Sequence, residues 1–237
     1  MYHSVGVPGG YDNISETEFR QHLQWLKETY SVVPLAEIQS NSSAEKRVAI
    51  TVDDGLASFY EAIVPICRAL DVPVTVFIPT IAVESVDGIE TEDVLEAQLE
   101  TPERFMTIEE IQTVADDPLV TVGAHTWTHR PLSTVTSPDE LNLEILEGTE
   151  RLESIVGTKI NQFAYPYNDW CREAHEIVRE RFSHAVQGRG LHTLITPYTS
   201  PQQLSRINGA MPTEHLPVAL HDISTYYRLG AKALSIR

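Results

Sequence analysis

The chain has 237 residues, 42% of them hydrophobic, which is enough for one large domain with a sizeable core. Asp and Glu number 34 against 17 Lys and Arg, a formal net charge of −17. That argues against nucleic acid as a partner, because phosphate binding needs basic surface. No apolar run approaches the roughly 18 residues of a membrane span, and two cysteines, Cys67 and Cys171, exclude a disulfide scaffold or a cysteine-rich zinc site.

The acidic, lysine-poor balance fits a halophilic protein, whose charged surface stays solvated while high salt screens its self-repulsion. An acidic enzyme from an ordinary cytosol is the blander reading. Met1-Tyr2-His3-Ser4-Val5-Gly6 has neither a basic nor an apolar leader region, so the expected location is cytoplasmic.

Tyr2-His3-Ser4-Val5 reads as the end of a short strand, followed by a loop through Gly6, Pro8, Gly9 and Gly10. Ser15 and Glu18 form a capping box, with Phe19, Leu23 and Leu26 following at helical spacing to about Tyr30. Val48-Ala49-Ile50-Thr51-Val52 is a β-branched run suited to a buried strand, and it ends in Asp53-Asp54-Gly55. Two adjacent carboxylates at a strand's C-terminal edge need a cation or a proton between them. One Asp then binds a metal and the other moves protons; the competing reading is an ordinary Asp-Gly turn. Ala57 to Leu70 reads as a helix kinked or split by Pro65.

Val72 to Pro79 is the next strand. Residues 80–105 are acidic and irregular, with a possible helix from Asp93 to Glu100 and a place on a substrate rim. Thr107 opens another capped helix. Val120 to Ala124 is a strand ending in His125-Thr126-Trp127-Thr128-His129. Imidazoles four apart can face one ion if the segment turns helically there. With one Asp they make a two-His, one-carboxylate site with open positions. A long helix runs from Ser137 to Gly157, then a strand and tight turn over Phe163 to Asn168. Trp170 to Arg181 reads as a helix, Ala185-Val186 and Ser205-Arg206-Ile207-Asn208 as strands, and His215 to Ser235 as a closing helix. The alternation predicts a mainly parallel sheet in a single domain over 1–237, with no repeat or linker.

Thr51-Val52-Asp53-Asp54-Gly55, the His125–His129 pair and Phe163-Ala164-Tyr165-Pro166-Tyr167 resemble the first three motifs of the polysaccharide deacetylases, the NodB-homology group known as carbohydrate esterase family 4. The resemblance covers nearly the whole chain. It implies an α/β fold, a distorted (β/α) barrel, and a divalent metal, usually Zn2+. By resemblance Asp53 is the general base, and Asp54, His125 and His129 hold the metal. The front of the chain is similar to a circularly permuted branch in which a strand ending in Tyr-His supplies the acid, which places that role on His3. His221 is the competing candidate, through its likeness to the C-terminal Leu-x-His of unpermuted members. Only two residues precede His3, which leads to the expectation of a true start upstream of Met1.

Two departures stand out. The Arg that many members carry before Pro-Tyr is replaced by Ala164-Tyr165, which leaves the support of Asp53 without a source. A frequent Gly is Asn168, a residue that tolerates positive φ. The implied reaction is metal-assisted hydrolysis of an N-acetyl or O-acetyl group on an acetylated carbohydrate, with the Tyr167 backbone N–H at the oxyanion. Tyr165, Pro166, Tyr167 and Trp127 are the expected substrate contacts, and Trp170 a further stacking surface. The alternatives are an amidohydrolase for a small amide or ureide, a non-catalytic sugar-binding relative and a non-haem iron oxygenase. The paired carboxylates speak against the last.

Overall fold

The computed structural model describes residues 1–40, 46–82, 103–188, 195–196, 198–217 and 219–220. Among the described residues eight strands follow in chain order: β1 (Ser31–Val32), β2 (Arg47–Val48), β3 (Ile50–Val52), β4 (Val74–Ile78), β5 (Val120–Ala124), β6 (Gln162–Ala164), β7 (His184–Gln187) and β8 (Leu204–Ser205). Strands β3 to β8 form one six-stranded sheet in sequential order, and every pairing in it is parallel. Helices such as Ile108–Ala115 and Arg172–Arg181 provide the crossovers that parallel neighbours need. The sheet curls into a partial barrel, the α/β architecture expected from the motifs.

The first residues stand at the seam between β3 and β8. Tyr2 bridges Val52 in parallel, donating its N–H to Thr51 O (2.9 Å) and accepting from Asp53 N–H (3.0 Å). On the other side Gly209 N–H reaches Met1 O at 2.7 Å. This pairing carries His3 to the same sheet edge as Asp53.

The apolar run at 48–52 is not one strand. It divides at Ala49: Arg47–Val48 pairs with β1 in a separate two-stranded sheet, and Ile50–Val52 enters the main sheet. Both predicted capping boxes are present, Ser15 with Glu18 and Thr107 with Glu110. Helix Glu16–Thr29 buries Phe19, Leu23 and Leu26 against the sheet. Each such side chain stabilises the fold by roughly 1.5–3 kcal/mol.

Pro65 cannot donate an N–H. The helix around it opens into a π turn over Phe59–Ile63 before the α-helix Val64–Leu70. The helix predicted over 137–157 likewise contains a π turn, Leu143–Glu147, between α-helical pieces Pro138–Asn142 and Gly148–Val156. The predicted helix at 93–100, His221 and most of the closing helix lie outside the described residues. Among the described residues no helix is long and apolar enough to cross a membrane.

Candidate metal centre and active site

Asp53 and Asp54 follow β3 directly, and both are buried, 3% and 2% exposed. Asp54 takes a left-handed backbone (φ 73°), which turns its carboxylate away from that of Asp53. His125 leaves the end of β5, held by its N–H on Ile78 O at 3.2 Å. No helix follows it, contrary to the sequence expectation. Instead Thr126 (φ 63°) and His129 (φ 58°) are left-handed, and Thr126 Oγ1 accepts the His129 N–H at 3.0 Å. This tight loop brings the two imidazoles together.

Asp54, His125 and His129 converge, all three buried. Asp54 Oδ1 lies 3.5 Å from His125 Nε2 and 3.3 Å from His129 Nε2, and the two Nε2 atoms are 3.2 Å apart. His125 Nδ1 donates to Ala164 O at 2.7 Å, so its Nε2 presents a lone pair. Burial holds His129 below the usual imidazole range, towards its neutral form. Burial raises the Asp54 carboxyl, but the two imidazoles beside it outweigh this and hold it well below the carboxylate range. Among the described residues its Oδ2 has no hydrogen-bond partner, nor has His129 Nδ1.

A buried carboxylate and two imidazoles facing each other this closely fit a cation. Ligand bonds of about 2.0–2.2 Å in a tetrahedron put neighbouring donor atoms about 3.3–3.6 Å apart, and the three separations fall within about 0.1 Å of that range.

Asp53 has a different partner. Arg206, just past β8, places Nη1 2.6 Å from Oδ1 and Nη2 2.6 Å from Oδ2. Burial raises the Asp53 carboxyl, but the Arg206 guanidinium outweighs it and leaves the group ionised, below its ordinary range. His3 Nε2 is 4.0 Å from Asp53 Oδ2, and His3 Nδ1 is 3.6 Å from Asp12 Oδ2. An imidazole and an ionised carboxylate thus stand side by side next to the Asp-His-His cluster.

The histidine loop is gripped from behind. Glu144, 2% exposed on the Leu143–Glu147 π turn, accepts Trp127 N–H (3.2 Å), Thr128 N–H (2.9 Å) and Thr128 Oγ1–H (2.5 Å). One turn on, a Cβ at Gly148 would sit 2.8–3.0 Å from Trp127 atoms, so only glycine lets the loop approach this helix.

Of the expected substrate contacts, Tyr167 is 46% exposed, and its ring lies 4.9 Å from that of His129. The others are placed differently. Tyr165 is buried with its hydroxyl 2.9 Å from His175 Nδ1, and Pro166 is buried beside it. Trp127 is buried under the Arg151 guanidinium. These rings pack the walls of the site and present no open stacking face, because the strand and loop that carry them turn them inward. Asn168 adopts φ 60°, as its tolerance for that region predicts.

A polysaccharide deacetylase family profile matches residues 40–181, more than half of the chain. The chain belongs to the polysaccharide deacetylase family. It is 31% identical to the poly-β-1,6-N-acetyl-D-glucosamine N-deacetylase of Escherichia coli K12 over 48% of its own length. That match covers only 18% of the E. coli protein. Among solved structures, the Streptococcus pyogenes deacetylase PplD in complex with acetate superposes with a TM-score of 0.72 at 20% identity, covering 92% of this chain and 95% of that one. IcaB from Ammonifex degensii gives 0.72 at 22% identity, covering 92% and 93%. At these identities the two structures speak for a shared fold.

Against the usual family pattern, the guanidinium on Asp53 comes from the far end of the sheet, not from the third motif. Sequence reasoning read Arg206 only as part of a last strand. The available signal was its place at the C-terminal end of a strand in a parallel sheet, the edge where such folds gather chemistry. Glu144 carried no signal, since it reads as one more acidic residue on an amphipathic helix.

Proposed function

We propose that this chain is a metal-dependent deacetylase that removes N-acetyl, or O-acetyl, groups from an acetylated sugar or polysaccharide. The observation that carries the reading is the adjacency of two units: the Asp54-His125-His129 cluster, and the Arg206-Asp53-His3 row beside it. Family membership and the activity of the E. coli relative favour an N-acetylglucosamine polymer as substrate. Zinc is the favoured ion, because two imidazoles and one carboxylate in a tetrahedral spacing suit it.

A divalent ion held by these three side chains supplies an acidified water and a polarised acyl carbonyl. The protein's own groups do the rest. Arg206 holds both oxygens of Asp53, so the carboxylate has one orientation and each oxygen keeps a further lone pair for a proton. Asp53 takes the proton of the attacking water. The backbone N–H of Tyr167, on its left-handed turn, is assigned to the oxygen that gains charge. His3 gives a ring proton to the leaving nitrogen as the C–N bond breaks. Proton return from Asp53 to His3 crosses the 4.0 Å gap between them and resets the pair. Water and an acetamide are consumed; acetate and a free amine are released. In the ester case the leaving group is an alcohol.

The non-catalytic alternative drew on the missing third-motif Arg, and Arg206 removes that reason. The test is metal analysis joined to acetate release. Protein loaded with zinc should release acetate from an N-acetylglucosamine oligomer. Bound metal without release from any acetylated sugar would reject the reading.

A further inference from the structure

Residues 6–13 form a loop that is firmly tied yet carries an outward-facing ring. Asn13 Oδ1 accepts the Val7 N–H at 3.0 Å, Gly6 N–H reaches Ile14 O at 2.8 Å, and Asn208 Nδ2 donates to Asp12 Oδ2 at 2.8 Å. A Cβ on Gly10 would lie 2.5 Å from Ser4 Oγ, so the loop's fit on the Tyr2-to-Val5 segment depends on glycine there. On this fixed loop Tyr11 remains 43% exposed, its ring edge-on to His3 with centroids 4.9 Å apart. Tyr167 stands at the other end of the same row, 46% exposed against His129.

Burial raises Tyr11, and the charges of Asp12, Asp54 and Asp53 raise it further. Burial, then Asp54, then Tyr11 itself, do the same for Tyr167, which is pushed up to about 12. The placement itself is set by contacts: Tyr11 lies against His3, which is 4.0 Å from Asp53, and Tyr167 lies against His129, which is 3.3 Å from Asp54, so the two exposed rings flank the adjacent carboxylates from either side. An exposed aromatic on a rigid support loses little entropy on binding. Its negative π face suits the apolar C–H face of a pyranose ring.

We infer that Tyr11, with Tyr167 opposite, walls the substrate slot and makes the site selective for a ring amino sugar over an acyclic acetamide. This deepens the deacetylase reading and rests on it. The acid and the ion cluster would hydrolyse either class of acetamide; the paired rings are what a small open-chain amide leaves unused.

The zinc-loaded protein is compared with Tyr11→Ala and Tyr11→Phe on two probes, a β-1,6-linked N-acetylglucosamine pentamer and N-acetylethanolamine. Calorimetric titration with the pentamer runs in parallel. The ratio of kcat/KM for pentamer over the acyclic probe should fall about tenfold in Tyr11→Ala, mainly through KM, and recover in Tyr11→Phe. Pentamer binding should weaken to match. Equal loss on both probes, carried by kcat, would make Tyr11 a prop for His3 and overturn the inference. So would failure of Phe to rescue, or unchanged pentamer binding in Tyr11→Ala. Absence of acetate release from the parent protein would reject the deacetylase reading, and the titration would then still decide whether Tyr11 contacts the sugar.

Discussion

Arg206 grips Asp53 across 153 residues of sequence, with two parallel N–H···O contacts of 2.6 Å in a site where both side chains are nearly inaccessible. Lysine cannot reproduce this fork. Arg206→Lys should stay folded, keep its metal and lose activity on the order of 100-fold, the scale of a misplaced catalytic group. Arg206→Ala leaves a buried carboxylate unpaired and should cost roughly 3–5 kcal/mol of stability. Denaturant melts and acetate-release rates on the two variants check both statements.

The ion-binding triad and the neighbouring carboxylate should separate on mutation. Asp54→Ala, His125→Ala and His129→Ala should each lose bound zinc, read by elemental analysis after dialysis. Asp53→Asn should retain it and lose turnover. Full activity in Asp53→Asn would show that another group takes the water's proton.

Glu144 offers a test of how the histidine loop is held. Glu144→Ala abandons the N–H groups of Trp127 and Thr128, a loss of about 1–3 kcal/mol in stability. It should also weaken zinc affinity by about 10–100-fold in competition with a chromogenic chelator, the usual effect of losing a group that orients ligands. Stability loss with unchanged affinity would confine Glu144 to a structural part.

Glu110 gives a clean pH dependence. Hydrogen bonds from Arg104, at 2.7 and 2.8 Å, lower its carboxyl from the ordinary 4.5 to about 2. A depressed folded-state pKa stabilises the protein above 4.5, and that contribution fades as pH falls through about 2. Arg104 is half exposed, so solvent screening limits the gain to about 1 kcal/mol. Glu110→Gln keeps the capping geometry and removes only the charge. Its Tm should trail the parent at pH 6 and meet it near pH 2. A gap that persists at pH 2 would assign the effect to the cap.

Features set by local chemistry were legible in the sequence. Ser15 and Thr107 start helices where their Glu partners fall three residues on. β-Branched runs end at the carboxylates and at His125, and Asn168 takes the left-handed turn. What escaped was decided by tertiary packing. Ala49 separates two sheets because Val48 and Ile50 find different partner strands. The imidazoles meet through left-handed residues at 126 and 129 and not through a helix, and β-branched Thr126 is a poor candidate for that region by propensity. Six of the seven non-glycine residues with positive φ among those described lie in the site's loops: Asp12, Asp54, Thr126, His129, Tyr167 and Asn168. Such strain persists only where surrounding contacts over-determine it. A partner as distant as Arg206 is marked locally only by its place at a strand end, which does not say what it will pair with.

The seam between β3 and β8 implies an order of assembly. The cluster of Asp54, His125 and His129 needs only the middle of the chain, whereas His3 and Arg206 arrive when the segments around Met1 and Ile207, 206 residues apart, meet. Contacts that close so long a loop form late. A refolding chain should therefore capture zinc before it can hydrolyse anything, and the lag between those two events times the closing of the sheet.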